Sequence, residues 1–297
     1  MLSKMLSKKI SNNSQAILYT VLTCFLVSVL IAIVRHLSTN FHVFFIIMMR
    51  NFFAFALFVP LMLKSRANLF KTKNLKLHIF RNINGSVAMM VWFSTVTMMP
   101  LPEAVSFTFI VPIITTLAAM LILKEKVSAR IWEALAIGFV GVLVITRPGF
   151  QEFKIAYIFA FATTILWSIS NLVVKYMTKT DTPQTIVAYM SVIMLIISIP
   201  LGVTKMAPMN FDDVFWLVLL GLFSNLSHLS LSKAYSKADL SVVQPFDFTR
   251  LIFTAIISYF AFGEVIDAFS IIGSLIILSG TIFIASKNKK KYDEPAI

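Results

Sequence analysis

The sequence lacks most of what a soluble enzyme needs. Cys24 is the only cysteine among 297 residues, which excludes a disulfide framework and a thiolate metal site. Only 13% of the residues are charged, too few to cover the surface of a soluble domain of this length. The chain has nine glycines and four histidines, and it contains no nucleophile elbow, metal-ligand cluster or glycine-rich phosphate loop. We therefore expect a protein that is not an enzyme and uses no cofactor or metal.

Apolar residues dominate instead. They make up 58% of the chain, and the mean hydropathy is +0.87. A helix needs about 20 mostly apolar residues to span a bilayer, and such runs fill nearly the whole sequence. The sequence predicts an all-α integral membrane protein with ten transmembrane helices, at residues 15–35, 42–63, 80–99, 102–123, 129–147, 155–176, 183–204, 213–235, 239–262 and 267–286.

The charge is strongly one-sided, with 26 Lys and Arg residues against 13 Asp and Glu. In a soluble protein this excess would suggest nucleic acid, but here the cations sit in short loops between apolar runs. If the N-terminus is cytoplasmic, twenty cations, Arg81 among them, fall on the inside and four on the outside. This bias predicts an inner-membrane protein with both termini in the cytoplasm and an even number of spans. Arg50 and Arg250 remain within the membrane.

The two halves of the chain resemble each other at an offset of about 139 residues. The fourth predicted span ends in "LAAMLILKEKV" with Glu125, and the ninth ends in "IISYFAFGEVI" with Glu264. Gly141 and Gly280 match at the same offset. Five helices is an odd number, so the second copy would be inverted in the membrane, with a substrate site near the midplane between the copies. The alternative is that apolar helices resemble one another by composition.

At these residues the chain resembles the drug/metabolite transporter superfamily of the EamA type. The resemblance rests on "PLPEAVSFTFIVPIITTLAAMLILKEKV" and on "AYSKADLSVVQPFDFTRLIFTAIISYFAFGEVI", and it covers residues 15–286. It implies ten helices around a central cavity and transport driven by a gradient or by exchange, without an ATPase. We expect a first EamA repeat at 15–147, a second at 155–286 and a basic cytoplasmic tail at 287–297.

The segment "QPFDFTRLIF" and the Lys-, Phe- and Met-rich composition resemble the S-adenosylmethionine uptake carriers of intracellular bacteria. That resemblance implies import of S-adenosylmethionine, with S-adenosylhomocysteine as an exchange partner. Two alternatives stay open: the same scaffold moving an amino acid, a riboflavin-type vitamin or a drug, and a membrane assembly subunit without transport. Buried charges disfavour the second alternative. We expect the lipid bilayer and a small metabolite as partners, no nucleic acid, and either a monomer or a homodimer.

Ionisable side chains inside the bilayer are the first candidates for substrate binding, because they are costly unless paired or hydrated. Arg50 lies about 13 Å into the second predicted span, at a rise of 1.5 Å per residue, and its planar guanidinium suits a carboxylate. Asp247 and Arg250 are three residues apart on one helix face, with Gln244 one turn earlier. The alternative for Arg50 is a structural hydrogen bond, and for the other two a simple ion pair.

Further candidates carry weaker signals. Glu103 opens the fourth predicted span, where an acid can also serve only the helix dipole. Asn225, which shares a face with His228, is a candidate ligand or an interhelical hydrogen-bonding residue. Several aromatic residues lie deep in the spans or beside these polar residues, and they could stack on a purine, cover a sulfonium or only fill space. They are Trp92, Phe107, Trp167, Phe246 and Phe248.

Overall fold

The computed structural model of the chain describes residues 11–64, 69–98, 107–146, 155–263 and 268–292. These residues form helices joined by short turns, and no strand occurs among them. The helices are α1 Asn12–Leu37, α2 Val43–Lys64, α3 Leu75–Met98, α4 Val111–Ile122, α5 Ala129–Thr146, α6 Ile155–Met177, α7 Pro183–Val203, α8 Phe211–Lys237, α9 Leu240–Val243, the 3₁₀ helix Gln244–Phe248, α10 Thr249–Phe262 and α11 Ala268–Tyr292.

Helices occur at all ten places where the sequence predicts them, if α9, the 3₁₀ helix and α10 count as one broken segment. Within the described ranges, six segments are long and apolar enough to cross a membrane: α1, α2, α6, α7, α8 and the broken segment. Helix α4 and the apolar part of α11, Ala268–Phe283, are shorter. That the chain crosses the bilayer ten times, and that its termini are cytoplasmic, stay predictions.

The contacts between helices keep the same pattern when the two halves of the chain are exchanged. Helix α1 packs on α8 and α10, and α6 packs on α3 and α4. Helix α2 packs on α7, and α5 packs on α11. When the first five segments are exchanged in order with the last five, α1 takes the place of α6 and α2 that of α7. The contacts of α1 with α8 and α10 then become the contacts of α6 with α3 and α4, and the pairs α2–α7 and α5–α11 stay the same. The two halves of the sequence therefore make equivalent contacts.

Small residues bring α5 and α11 together at two equivalent points. A Cβ atom added to Gly273 would lie 2.6 Å from the carbonyl oxygen of Gly141, and one added to Gly280 would lie 3.4 Å from that of Ala134. At the offset of 139 residues, Gly141 corresponds to Gly280 and Ala134 to Gly273. Small residues allow such close helix approach in membranes. The glycine match in the sequence thus corresponds to a matched packing contact.

The broken segment positions the polar residues of the second half. Pro245 has no N–H and therefore removes one backbone hydrogen bond from the helix, and the chain forms a 3₁₀ helix there. The Glu125 carboxylate accepts hydrogen bonds from the backbone N–H groups of Leu240 and Ser241, at 3.0 and 3.1 Å. It satisfies the free donors at the start of α9. Glu264, its match in the sequence, lies outside the described residues.

Candidate functional site

Asp247 and Arg250 form an ion pair within the broken segment. Arg250 Nη2 lies 3.2 Å from Asp247 Oδ2. The Arg250 side chain is 22% exposed and the Asp247 side chain is 26% exposed. The Arg250 guanidinium also lies 5.5 Å from the centroid of the Phe109 ring, in cation–π range. The spacing of three residues predicted this proximity. Because neither side chain is fully covered, both charges remain partly accessible.

Helix α1 and the end of α8 complete the surroundings of this pair. Cys24 Sγ lies 3.7 Å from Asp247 Oδ1, and Ser28 Oγ donates a 3.0 Å hydrogen bond to the Arg250 carbonyl oxygen. Gln244 Nε2 donates to the hydroxyl of the buried Tyr235 at 3.3 Å. The predicted candidate Gln244 therefore lies in the same polar region as Asp247, and Tyr235 is an additional member that the sequence reading missed.

Arg50 contacts α8 rather than an acid. Its Nε donates to Ser224 Oγ at 2.9 Å, and its Nη2 lies 3.5 Å from His228 Nε2. Among the described residues, no Asp or Glu side chain lies within ion-pair distance of it. A guanidinium held only by neutral partners keeps its capacity to bind an anion.

Arg81 is a second such cation, and the sequence reading assigned it to the cytoplasmic charge excess. Its Nη1 donates to Asn82 Oδ1 at 3.0 Å, while its Nε is shielded from solvent without a hydrogen-bond partner. It lies close enough to Arg50 and His228 for a Coulombic interaction with each. Arg81 lies six residues after the start of α3. A basic residue that far inside a helix, next to an asparagine, is the signal that could have identified it.

Asn225 makes the contacts of an interhelical hydrogen-bonding residue. Its Nδ2 donates to the Ala54 carbonyl oxygen at 2.7 Å, and its Oδ1 accepts from Ser191 Oγ at 3.4 Å. These bonds connect α8 to α2 and α7. Both ends of the amide therefore have protein partners, and a ligand role for Asn225 stays a prediction.

Three of the predicted aromatic residues form two ring contacts on the α3–α6 side of the molecule. The Trp92 and Trp167 rings lie 5.4 Å apart, and Phe107 stacks on Tyr157 at 5.6 Å. Trp92, Phe107 and Trp167 are partly exposed, so each has ring surface available for another group.

The other two aromatic candidates are packing residues in their observed contacts. Phe248 is completely buried and stacks on Phe109 at 6.3 Å. A Cβ atom added to Gly138 would lie 2.3 Å from the Phe248 ring, so glycine is required for that ring position. Phe246 is buried against Ala134 and its neighbours. Their proposed role in stacking on substrate is not tested by these contacts.

Three further observations concern the candidate site. Glu103, the remaining candidate, lies outside the described residues. Among the described residues, no group of three or more His, Cys, Asp or Glu side chains could hold a metal ion. Two apolar clefts lie between α2, α3 and α7 and between α1, α10 and α11, and no charged residue lines either of them.

Comparisons with known proteins place these features in a family. The model of the EamA-like transporter family matches residues 14–147 and 154–286. The chain is 24% identical over 256 residues to an S-adenosylmethionine uptake transporter of Rickettsia prowazekii, covering 86% of this chain and 87% of the relative. It is 27% identical to a riboflavin transporter of Vibrio cholerae, covering 74% and 75%.

A solved crystal structure supports the fold. It superposes with a TM-score of 0.78 at 13% sequence identity and covers 95% of this chain and 99% of the other. The family model matches both halves of the chain, as the repeat in the sequence predicts. Together with six helices able to cross a membrane, these matches show a multi-pass membrane protein, and the chain belongs to the EamA-like transporter family.

Proposed function

We propose that this transporter imports S-adenosylmethionine across the inner membrane and releases S-adenosylhomocysteine in exchange. The observation that carries the proposal is the set of charges in the spans: an accessible acid, Asp247, lies in the broken segment beside Arg250, and Arg50 and Arg81 have no acidic partner among the described residues. S-adenosylmethionine carries a carboxylate, an ammonium and a sulfonium, and each charge entering a low-dielectric site needs a partner.

The proposal assigns one recognition task to each group. Asp247 meets a substrate cation, and Arg50 meets the carboxylate through its planar fork. The partly exposed rings of Trp92, Phe107 and Trp167 offer a face for the adenine or the sulfonium. Arg250 then has two functions: it neutralises Asp247 in the empty carrier and releases it to substrate.

The architecture proposed with this function has ten spans in two inverted halves, 15–147 and 155–286, with both termini in the cytoplasm. The helix contacts keep the same pattern when the two halves are exchanged, which supports the equivalence of the halves. The positive-inside bias supports the orientation. Transport would proceed by rocking of the halves around the polar region, as in other carriers built from inverted repeats.

Riboflavin is the second candidate, because relatives with that name match at similar identity. Riboflavin carries no charge at neutral pH, so it has no use for an accessible acid or for unpaired guanidinium groups. Burying such charges without a charged ligand is unfavourable. The charge arrangement therefore favours a zwitterionic or cationic substrate over riboflavin.

Uptake of labelled S-adenosylmethionine by bacterial cells expressing the chain tests the proposal. We expect saturable uptake that S-adenosylhomocysteine inhibits strongly and that riboflavin, methionine and adenosine inhibit weakly. Asp247→Asn should abolish uptake, whereas the control Asp212→Asn, at an exposed residue, should leave it unchanged. Absent uptake, or inhibition by riboflavin as strong as that by S-adenosylhomocysteine, contradicts the substrate assignment.

A further inference from the structure

One face of α8 carries three polar side chains. Ser224, His228 and Tyr235 are four and seven residues apart, so their side chains lie on the same side of the helix. Arg50 contacts the first two, at 2.9 and 3.5 Å. Arg81, on α3, lies close enough to Arg50 and His228 for a Coulombic interaction with each. Guanidinium groups from two helices, α2 and α3, therefore lie near His228.

The cluster of Arg50, Arg81 and His228 has donors but no anion. In the described part of the chain, neither arginine has an Asp or Glu side chain within ion-pair distance. Arg81 Nε is shielded from water and donates to no acceptor. Buried donors are almost always satisfied, and an exception in a native protein calls for an explanation such as a ligand.

Like charges held together in a poorly hydrated place repel each other, and that repulsion is relieved when an anion binds between them. A carboxylate offers two oxygens with about four acceptor positions, enough to pair with two guanidinium groups at once. Tyr235 lies at the end of the same α8 face, and its hydroxyl connects through Gln244 to the segment that carries Asp247. The α8 face that carries His228 therefore continues to a residue that contacts the segment carrying the acid.

We propose that Arg81 acts together with Arg50 and His228 as the carboxylate-binding site of the carrier, and that Arg81 determines the preference for carboxylate-bearing solutes. The identity of the solute rests on the proposed function, but the pairing of Arg81 with a carboxylate can be measured separately. Arg81 touches the substrate in this proposal, whereas Ser224 only orients Arg50.

The test compares two ligands that differ by the carboxylate alone. The full-length protein is purified in phosphatidylcholine nanodiscs, so that no anionic lipid competes for the cluster, and calorimetry measures binding of S-adenosylmethionine and of decarboxylated S-adenosylmethionine. We expect the wild type to bind the carboxylate-bearing compound about tenfold more tightly or better, as for a hydrogen bond to a charged group. In Arg81→Gln this ratio should fall to about two or less.

Arg130→Gln is the matched control, because Arg130 is exposed at the start of α5 and has no described partner in the site. It should keep the wild-type ratio. Arg81→Lys retains the charge without the planar fork and should give an intermediate ratio. If Arg81→Gln does not fold, as judged by its elution and melting temperature, a reduced ratio in Arg81→Lys supports the proposal and a wild-type ratio overturns it.

The outcomes separate this inference from the proposed function. A wild-type ratio in a folded Arg81→Gln variant, or equal binding of both ligands by the wild type, overturns the carboxylate site and leaves the substrate assignment standing. If the wild type binds neither ligand, both proposals are wrong.

Discussion

Gly221 sets the distance between α2 and α8, and replacing it with alanine should damage both stability and transport. A Cβ atom at this position would lie 2.7 Å from the Ala54 nitrogen and 2.8 Å from the Phe53 carbonyl carbon. Both are backbone atoms of α2, so no side-chain rotation can relieve the contact. Ordinary contact requires about 3.5 Å, and Gly221→Ala should therefore move the helices apart by about 0.8 Å.

The loss of stability can be worked out from the hydrogen bonds that join α2 to α8 near Gly221. Asn225 Nδ2 donates to the Ala54 oxygen at 2.7 Å, and Arg50 Nε donates to Ser224 Oγ at 2.9 Å. A separation of about 0.8 Å would bring both bonds to or beyond the limit of hydrogen bonding. Lost bonds of about 1 kcal/mol each and overpacking of about 1–3 kcal/mol are offset by about 1 kcal/mol of helix propensity. We expect a net loss of about 2–4 kcal/mol.

Thermal unfolding of the purified protein in detergent, followed by tryptophan fluorescence, measures the stability change, and uptake in intact cells measures the functional one. Gly85→Ala in α3 is the matched control, because a Cβ atom there would meet nothing within 4 Å. It should keep or slightly raise the melting temperature. If Gly221→Ala melts and transports like the wild type, α2 and α8 do not approach as closely as described, and the reasoning about Arg50 fails with it.

Three other perturbations test separate parts of the argument. Reporter fusions should locate the tail 287–297 in the cytoplasm and the loop at Asp212 outside, and an external tail would contradict the span count. Asp247→Asn should abolish uptake, and combining it with Arg250→Gln should not restore it; recovery in the double variant would show that Asp247 only neutralises Arg250. Glu125→Gln should lower the melting temperature by weakening the cap on α9, equivalent to about 1 kcal/mol, and an unchanged melting temperature would show that the cap contributes nothing.

The helix positions could be predicted because each apolar run is long enough to stand out from the loops. The ends could not be placed as well, because polar caps extend helices beyond their apolar runs. Helix α8 begins at Phe211 instead of the predicted 213. Asn210 and Asp213 form a capping box at this end, in which each side chain accepts a hydrogen bond from the backbone N–H of the other residue. Helix α3 begins at Leu75 rather than 80, and its first turn carries polar residues that a hydropathy pattern excludes.

The contacts of the candidate site were predictable where they join neighbours in the sequence and unpredictable where they join distant residues. Asp247 and Arg250 are three residues apart, so helical geometry alone predicts their contact. Arg50 and Ser224 are separated by 174 residues, and only the packing of α2 on α8 brings them together. Arg81 was missed because the positive-inside rule counts charges near helix ends without resolving their depth.

The two halves differ in the turn between their first and second helices. Phe41 and Asp181 occupy the same position in these turns, since each donates its backbone N–H to the residue four earlier, at 3.0 and 2.8 Å. Phe41 is buried in an apolar cluster with Leu217. Asp181 is buried in a polar one, where its carboxylate lies 2.9 Å from His78 Nε2 and accepts from Thr72 at 2.8 Å.

In the inverted architecture proposed above, these two turns would face opposite sides of the membrane. A carrier that alternates must break one closure while the other holds, and equivalent closures would leave neither side favoured. An apolar contact and a hydrogen-bonded carboxylate respond differently to water: the first loses stability in proportion to the area exposed, whereas the second regains hydration for the charge it exposes. If these turns close the two ends of the proposed carrier, the exchange of Phe41 for Asp181 gives those ends unequal opening costs, and we expect that inequality to favour one side of the membrane in the resting state.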